Sequence, residues 1–407
     1  MARILMIAYT TYVHDGRVKR HAQALAQRGD HIDVICLENP EEGLRSGVNV
    51  IGLRLARYRG ASRINYLRTY IRFFAAATMK AIRLSRIKPY DVVIVCTMPD
   101  AAVLCAIPTR FFGSKVVLDV HDTMPELYAD KFEGRRGAFG ARLLQFEERA
   151  STWAADGLLA VHEPHRLRLI KAGIPPEKID VVLNMPDPRI FSYRPDRTAA
   201  REGFTVVCHG TITKRLGLDV AIDAIDLLRE RLPAVRLLVI GSGDYLDEAK
   251  AAAERRRLGE RIDFKPPVAL ESLAEVIRAA TIGLVPNRSS RATELMLPVK
   301  LLEYVTLGIP VIAARLRTIE YYFRDTVRFF KPGDSADLAQ AIDDLCRDPV
   351  LRGRLAGAAR GAVEKFDWNA QRQNFYRVID SYLPSKYCRS LTTDSSDDRD
   401  PVIDRRI

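Results

Sequence analysis

Short apolar runs rich in Val and Ile recur along the chain, separated by segments in which apolar positions return every three or four residues. The runs at 3–9, 31–37, 91–97, 115–120, 157–162 and 179–183 read as strands, with helices at 18–28, within 54–88 and at 141–155. Because these strands are continuously apolar rather than alternating, they predict a parallel sheet covered by helices on both faces. After the proline-rich joint Asn184-Met-Pro-Asp-Pro188 the same pattern restarts. Strands are expected at 204–208, 235–240, 261–264, 282–285 and 310–313, and helices at 218–231, 245–257, 270–280, 298–307 and 336–347. A last periodic segment at 368–383 reads as a helix, and the polar, mixed-charge remainder as a disordered tail. The fold class expected is therefore α/β: two facing Rossmann-like domains, 1–186 and 187–365, then a helix within 366–383 and a tail at 384–407. In such sheets ligands bind beyond the carboxyl ends of the strands, so the active site is expected between the two halves.

The length of 407 residues agrees, since a single core rarely organises so long a chain. The six cysteines are scattered without a C-x-x-C pair, which suits a reduced, cytoplasmic protein. The first residues run straight into a strand without the apolar stretch of a signal peptide, and no uncharged run approaches the ~18 residues of a membrane span. The net charge of +12 changes the picture because it is uneven: between Arg54 and Lys88 there are ten Lys or Arg and no acid. This segment suits either a helix with a solvated basic edge or peripheral contact with an anionic membrane. Nucleic acid is not expected, because no recognised binding motif accompanies the charge.

Lys300 and Glu303 interrupt an apolar run that Gly308 terminates. Pro298 suits the first turn of a helix, so Lys300 would stand beside free N–H groups at its start, an arrangement that attracts anions. Glu303, one turn on, suits the vicinal hydroxyls of a ribose; the same spacing also allows a plain Lys–Glu pair on an exposed face. Gly241 and Gly243 follow a strand, where a tight turn or a close approach to a ligand would each require them. His121 ends a strand, as a catalytic group or as a structural cap.

Several stretches in order along residues 2–380 resemble the retaining glycosyltransferases of family 4 (group 1), which have the GT-B fold. They are DGRVKRHAQALAQRGDHIDVI from Asp15, DVHDTMPEL from Asp119, PPEKIDVVLNMPD from Pro175, HGTITKRLGLDVAIDAI from His209, LLVIGSGDYLDEA from Leu237, and ATIGLVPN with PVKLLEYVTLGIPVIA from Ala280 and Pro298. The resemblance implies that the last helix crosses back to the N-terminal domain and that the C-terminal domain holds a nucleotide-diphosphate sugar, a UDP- or GDP-sugar. It implies that Glu303 holds the ribose, that Lys300 lies near the diphosphate, and that Gly210, Gly241, Gly243, Leu297 and Pro298 belong to the donor site. Where the family carries an arginine and a lysine near the first glycine of the donor domain, this chain has Thr211 and Leu216, and Arg215 and Lys214 between them supply the charge. The family's first glutamate is replaced by Leu295, with Glu294 beside it as a substitute, or the backbone of 295–297 in its stead. On the other side, His121 would stand beside the donor sugar, with Asp122 and Glu126 as companions. Gly16 is what remains of a Gly-Gly pair, and Asp15 and Arg17 are assigned to donor or acceptor contact.

The function implied is sugar transfer with retention to the hydroxyl of a glycan or lipid-linked acceptor in bacterial envelope polysaccharide or glycolipid synthesis, by an enzyme peripheral to the inner face of the membrane. No cofactor or metal is expected, since cations and a helix dipole take the place of one. A nucleotide-sugar epimerase and a non-catalytic binding protein of the same fold are the alternatives.

Overall fold

The computed structural model describes residues 1–38, 43–56, 58, 63–132, 134–194 and 203–384; the expected tail lies outside them apart from Pro384. The N-terminal elements are β1 (Arg3–Ala8), α1 (Gly16–Gln27), β2 (His31–Cys36), β3 (Gly43–Arg45), β4 (Val48–Gly52), α2 (Arg63–Ile87), β5 (Val92–Cys96), β6 (Lys115–Val120), α3 (Met124–Lys131), α4 (Gly134–Ala154), β7 (Gly157–Ala160), α5 (Glu163–Lys171) and β8 (Ile179–Val181). They form one sheet in the order β3-β4-β2-β1-β5-β6-β7-β8, parallel except for β3 with β4. The C-terminal elements are β9 (Phe204–Thr211), α6 (Leu218–Leu227), β10 (Val235–Ser242), α7 (Leu246–Arg255), β11 (Ile262–Lys265), α8 (Leu270–Arg278), β12 (Ile282–Val285), α9 (Val299–Thr306), β13 (Val311–Ala314), α10 (Arg317–Phe323), β14 (Arg328–Phe330), α11 (Ser335–Arg347), α12 (Pro349–Glu364) and α13 (Trp368–Ser381). Their sheet is β11-β10-β9-β12-β13-β14, with parallel pairings. Two Rossmann-like α/β units result.

The central strands are buried along nearly their whole length, which is why their sequences lack alternation. Strands β3, β4 and β14 were not expected: β3 and β14 are three-residue edge strands, and β4, between β3 and β2, meets β3 at a turn through Ser46 and Gly47. Helices α3, α5 and α10, of seven to nine residues, are shorter than the window over which helical periodicity can be read. In α12 the inward stripe is only Leu355, Ala359 and Val363, with Gly353, Gly357 and Gly361 between, so its amphipathic signal is weak. Helix α4 begins at Gly134, a full two turns before the expected start.

The last helix straddles both units. Phe375, Val378 and Ile379 of α13 pack into the core beneath β1 and α1, while Trp368 lies against the C-terminal core. Gln371 accepts a hydrogen bond from the Leu183 amide (2.9 Å) and Asn374 donates to the Val181 carbonyl (2.6 Å). Among the described residues no helix is long and apolar enough to cross a membrane.

Candidate active site

The C-terminal half of the site is built where β9 and β10 end. Both strands run further than expected, so that Gly210 pairs with Gly241 and Thr211 with Ser242 at the sheet's carboxyl edge. A Cβ on Gly241 would lie 1.9 Å from the Gly210 carbonyl oxygen, and one on Gly243 2.0 Å from that of Ile212. Packing of these strand ends on one another therefore requires both glycines, whether or not a ligand approaches. Gly210 itself, at φ 105°, has open space where a side chain would stand.

Helix α9 is anchored by Tyr304. Its ring lies against β12, where a Cβ on Gly283 would come within 2.3 Å, and its hydroxyl donates to the Val207 carbonyl at 3.1 Å. Pro298 is the residue before the first turn rather than within it, and no side chain caps the helix. Leu297 is half-buried against the C-terminal core. The Lys300 ammonium lies 3.9 Å from the Cys208 sulfur. Glu303 is 7% exposed, with a carboxylate oxygen 3.1 Å from Nε2 of His209, close enough for an ion pair although the angle is not that of a hydrogen bond. Its burial excludes the exposed Lys–Glu pair that the spacing also allowed. Arg215 sits on a 3-10 turn with an exposed Lys214; its guanidinium reaches the Met296 sulfur at 3.7 Å, and its carbonyl accepts from the Arg288 amide.

Across the cleft the organising group is Asp119, fully buried at the end of β6. Arg17 grips both its oxygens (2.7 Å and 3.0 Å) and donates its remaining arm to the Val182 carbonyl (2.9 Å). Nε2 of His121 lies 3.1 Å from the same carboxylate, and Nδ1 of His21 3.4 Å. Burial alone would raise the Asp119 pKa, but Arg17 first and then His121 hold it well below the usual carboxylate range. Arg17, expected at a donor or acceptor contact, is 3% exposed and directs its guanidinium to Asp119 and the Val182 carbonyl. Asp15 caps α1 by accepting from the Val18 amide (3.1 Å), and Gly16 is the first helical residue.

Cys96, Asp119 and His121 are the described residues whose ligating atoms cluster closely enough for a metal ion, within 4.8 Å of one another. The donors do not suit one: Arg17 already takes both oxygens of Asp119, and burial pushes the Cys96 thiol well above its ordinary pKa, away from the thiolate.

Several charges meet in the cleft. Burial raises the Asp122 pKa, opposed by His121 and by Arg215 of the other domain, while Asp15 adds to the rise. Arg20, missed in the sequence, is lowered to about 10, chiefly by burial and then by Arg17, and lies within electrostatic reach of Glu303. His162 is another that the pattern did not single out. It accepts from the His165 amide and is hydrogen-bonded to the backbone of Leu295 across the cleft; burial, the dominant cause, lowers its pKa to about 4. The amide of Glu163 donates to the Tyr322 hydroxyl (3.0 Å), and Asp130 accepts from the Ser290 hydroxyl and the Ala292 amide.

Two expected residues are engaged elsewhere. Both oxygens of Glu294 accept local bonds, from the Arg317 amide (2.7 Å) and the Ser289 hydroxyl (2.6 Å), so in this conformation it caps α10 instead of replacing the missing glutamate. Glu126 pairs with Arg168, which also holds Glu148. Beside Asp130 a cavity of about 640 Å³ lies between α3, α4 and the 290–291 loop, lined also by Phe132, Ala141, Arg142 and Arg291.

The sequence model for "Glycosyl transferases group 1" matches residues 191–362, and that for "Glycosyl transferase 4-like domain" matches residues 16–185; together they take in most of the chain. A phosphatidyl-myo-inositol mannosyltransferase of Mycobacterium leprae is 32% identical over 188 residues, 46% of this chain and 48% of that protein. The match thus spans about half the length of this curated relative. Among solved structures, a sucrose-phosphate synthase from Thermosynechococcus elongatus superposes with a TM-score of 0.76 at 18% identity, covering 94% of this chain and 99% of the other. Anabaena HepE, solved with UDP and glucose, gives a TM-score of 0.71 at 18% identity over 94% and 100% of the two chains.

Proposed function

Because this chain belongs to the group 1 glycosyltransferases, with their GT-B fold, we propose that it transfers a sugar from a nucleotide diphosphate to an acceptor hydroxyl, with retention at the anomeric carbon. The observation that carries the reading is the convergence, across one cleft, of Arg215 on Asp122 with the uncapped start of α9 and the buried Glu303. A diphosphate against that helix start meets unpaired N–H groups, Lys300, Arg215 and Lys214, which supply positive charge where the leaving group becomes negative. Glu303 takes the ribose hydroxyls, with His209 beside its carboxylate at 3.1 Å. Glu294 serves α10, so backbone groups of 295–297 and His121 contact the sugar. His121 is oriented by Asp119 and stands at the mouth of β6, where the acceptor meets the donor.

No carboxylate is offered as a nucleophile, so the leaving phosphate accepts the acceptor's proton on the face it departs from. The cations and the helix dipole do this without a metal. HepE's complex with UDP and glucose is consistent with a UDP-sugar donor, and GDP is the other candidate. The mannosyltransferase relative is named for a phosphoinositide, which favours a lipid-linked or glycan acceptor and a place at the inner face of the membrane.

The experiment is nucleotide release from UDP- and GDP-sugars in chelator, with thermal stabilisation by UDP and GDP measured in parallel. Release with product of retained configuration supports the reading. Activity that appears only on adding Mn²⁺ removes the metal-free mechanism, and an isomeric sugar without free nucleotide would mark an epimerase.

A further inference from the structure

One layer of the N-terminal domain consists of α2, the 3-10 turns Asp100–Cys105 and Ile107–Phe112, and α4, packed side by side on the same face of the sheet. Its outer surface is unusually apolar. Leu67, Ile71, Met79 and Ile87 of α2 project outward, as do Leu104 and Phe111 on the turns, the latter 91% exposed. On α4, Phe139, Leu143 and Phe146 form one helical stripe, and Trp153 continues the exposed surface at 84%. Isolated exposed apolar residues need no explanation, but a surface of this many on adjoining elements does.

Charge on this layer is equally one-sided. Arg68, Arg72, Arg83 and Arg86 of α2 are exposed beside its apolar residues, and Arg142 and Arg149 beside those of α4. The acids among the described residues of the two helices are Glu147 and Glu148, and both are engaged inward. Glu147 accepts from the Ala101 amide, and Glu148 pairs with Arg168. A second copy of this surface would set cations against cations. A bilayer with anionic heads satisfies both components, taking the rings and aliphatic groups into its interface and the arginines against its phosphates.

We infer that this layer is a membrane-docking face, with the α4 stripe entering the interface of an anionic bilayer and the arginines of α2 and α4 on its headgroups. Arg142 and Gln145 of α4 line the cavity beside Asp130, next in sequence to Leu143 and Phe146, so docking sets that cavity beside the headgroup layer. The inference deepens the proposed function by naming where a lipid-borne acceptor meets the enzyme, but its own test needs no acceptor.

The test is sedimentation of the full chain with vesicles of phosphatidylcholine alone or with roughly one-third phosphatidylglycerol, over a range of salt. Binding is expected to the anionic vesicles, weakening with salt, with a blue shift of Trp153 emission that Trp153→Ser abolishes. Phe139→Ser with Phe146→Ser is expected to lower binding at least ~10-fold, and Arg68→Ser with Arg72→Ser to lower it by a similar factor at low salt and flatten the salt dependence. Val350→Ser, removing an exposed apolar residue of α12 in the other domain, is expected to change nothing. Binding indifferent to phosphatidylglycerol, or unaltered in the double phenylalanine variant, would overturn the inference. So would conversion of a dimer to a monomer by that variant with no effect on vesicles. Stabilisation of every variant by UDP or GDP reports the donor site separately: its absence in the wild type, with vesicle binding intact, would defeat the donor reading and leave the docking face standing.

Discussion

Each side of the cleft places a carboxylate against a histidine at a strand end, and the two pairs are built differently. Asp119 has no exposure, and Arg17 meets it with three hydrogen bonds, so its charge is matched within the fold and His121 is held at its rim. Among the described residues Glu303 has His209 at 3.1 Å and the more distant Arg20. A carboxylate fully partnered inside the protein organises it, whereas one left with an incomplete set is available for a ligand.

The contrast is tested most severely by Arg17→Leu, which leaves Asp119 buried without its partner. It is expected to destabilise by about 3–5 kcal/mol in denaturant unfolding; a loss below about 1 kcal/mol would show that the pair is not the scaffold described. Arg215→Ala is expected to leave stability unchanged and lower kcat by about 10²–10³, since it acts where leaving-group charge develops. An effect confined to KM would move it out of that role.

The pH dependence comes next. His21 and His162 are held near pKa 4 by burial first of all, below the ordinary 6.5. Between those values the unfolded chain takes up protons that the fold refuses, so the stability these two rings carry is full above about pH 6.5, declines as pH falls toward about 4, and is lost below that. Each imidazole accounts for about 3 kcal/mol of that decline. His21→Asn should flatten the profile in this window, and an unchanged slope would mean that the ring is protonated in the fold.

Glu303→Ala is expected to weaken UDP or GDP binding by about 10–100-fold, the worth of charged hydrogen bonds to two hydroxyls, with little change in melting temperature. A large loss of stability with intact binding would invert the comparison. The smallest effect is expected from Glu294→Gln, which loses a helix cap of about 1 kcal/mol or less and leaves discrimination between nucleotide and nucleotide sugar unaltered. Selective loss of affinity for the sugar nucleotide would restore Glu294 to the donor site.

The central strands were legible because burial on both faces leaves a continuous apolar run that nothing else in the chain imitates. The helix bearing Lys300 was legible from Pro298 and Gly308, whose conformations bracket it at either end. Less visible were the edge strands β3 and β14, the strand β4 beside β3, and α12, whose inward face relies on small residues. In the site, His121 at a strand end and Glu303 on the short helix after Pro298 announced themselves by position. Arg17 and Glu126 resembled ligand contacts because charge alone does not reveal whether its partner is internal; Asp119 and Arg168 stand far from them in sequence. His162 and Arg20 matter through neighbours that only folding supplies.

The return of α13 has a mechanical consequence. The outgoing chain leaves the first unit at 181–184 and the returning helix rests on that stretch, through Gln371 on Leu183 and Asn374 on Val181. Both covalent crossings are therefore neighbours, like two pins of one door hinge, and they constrain the lobes to swing about a shared axis while opposing lateral sliding.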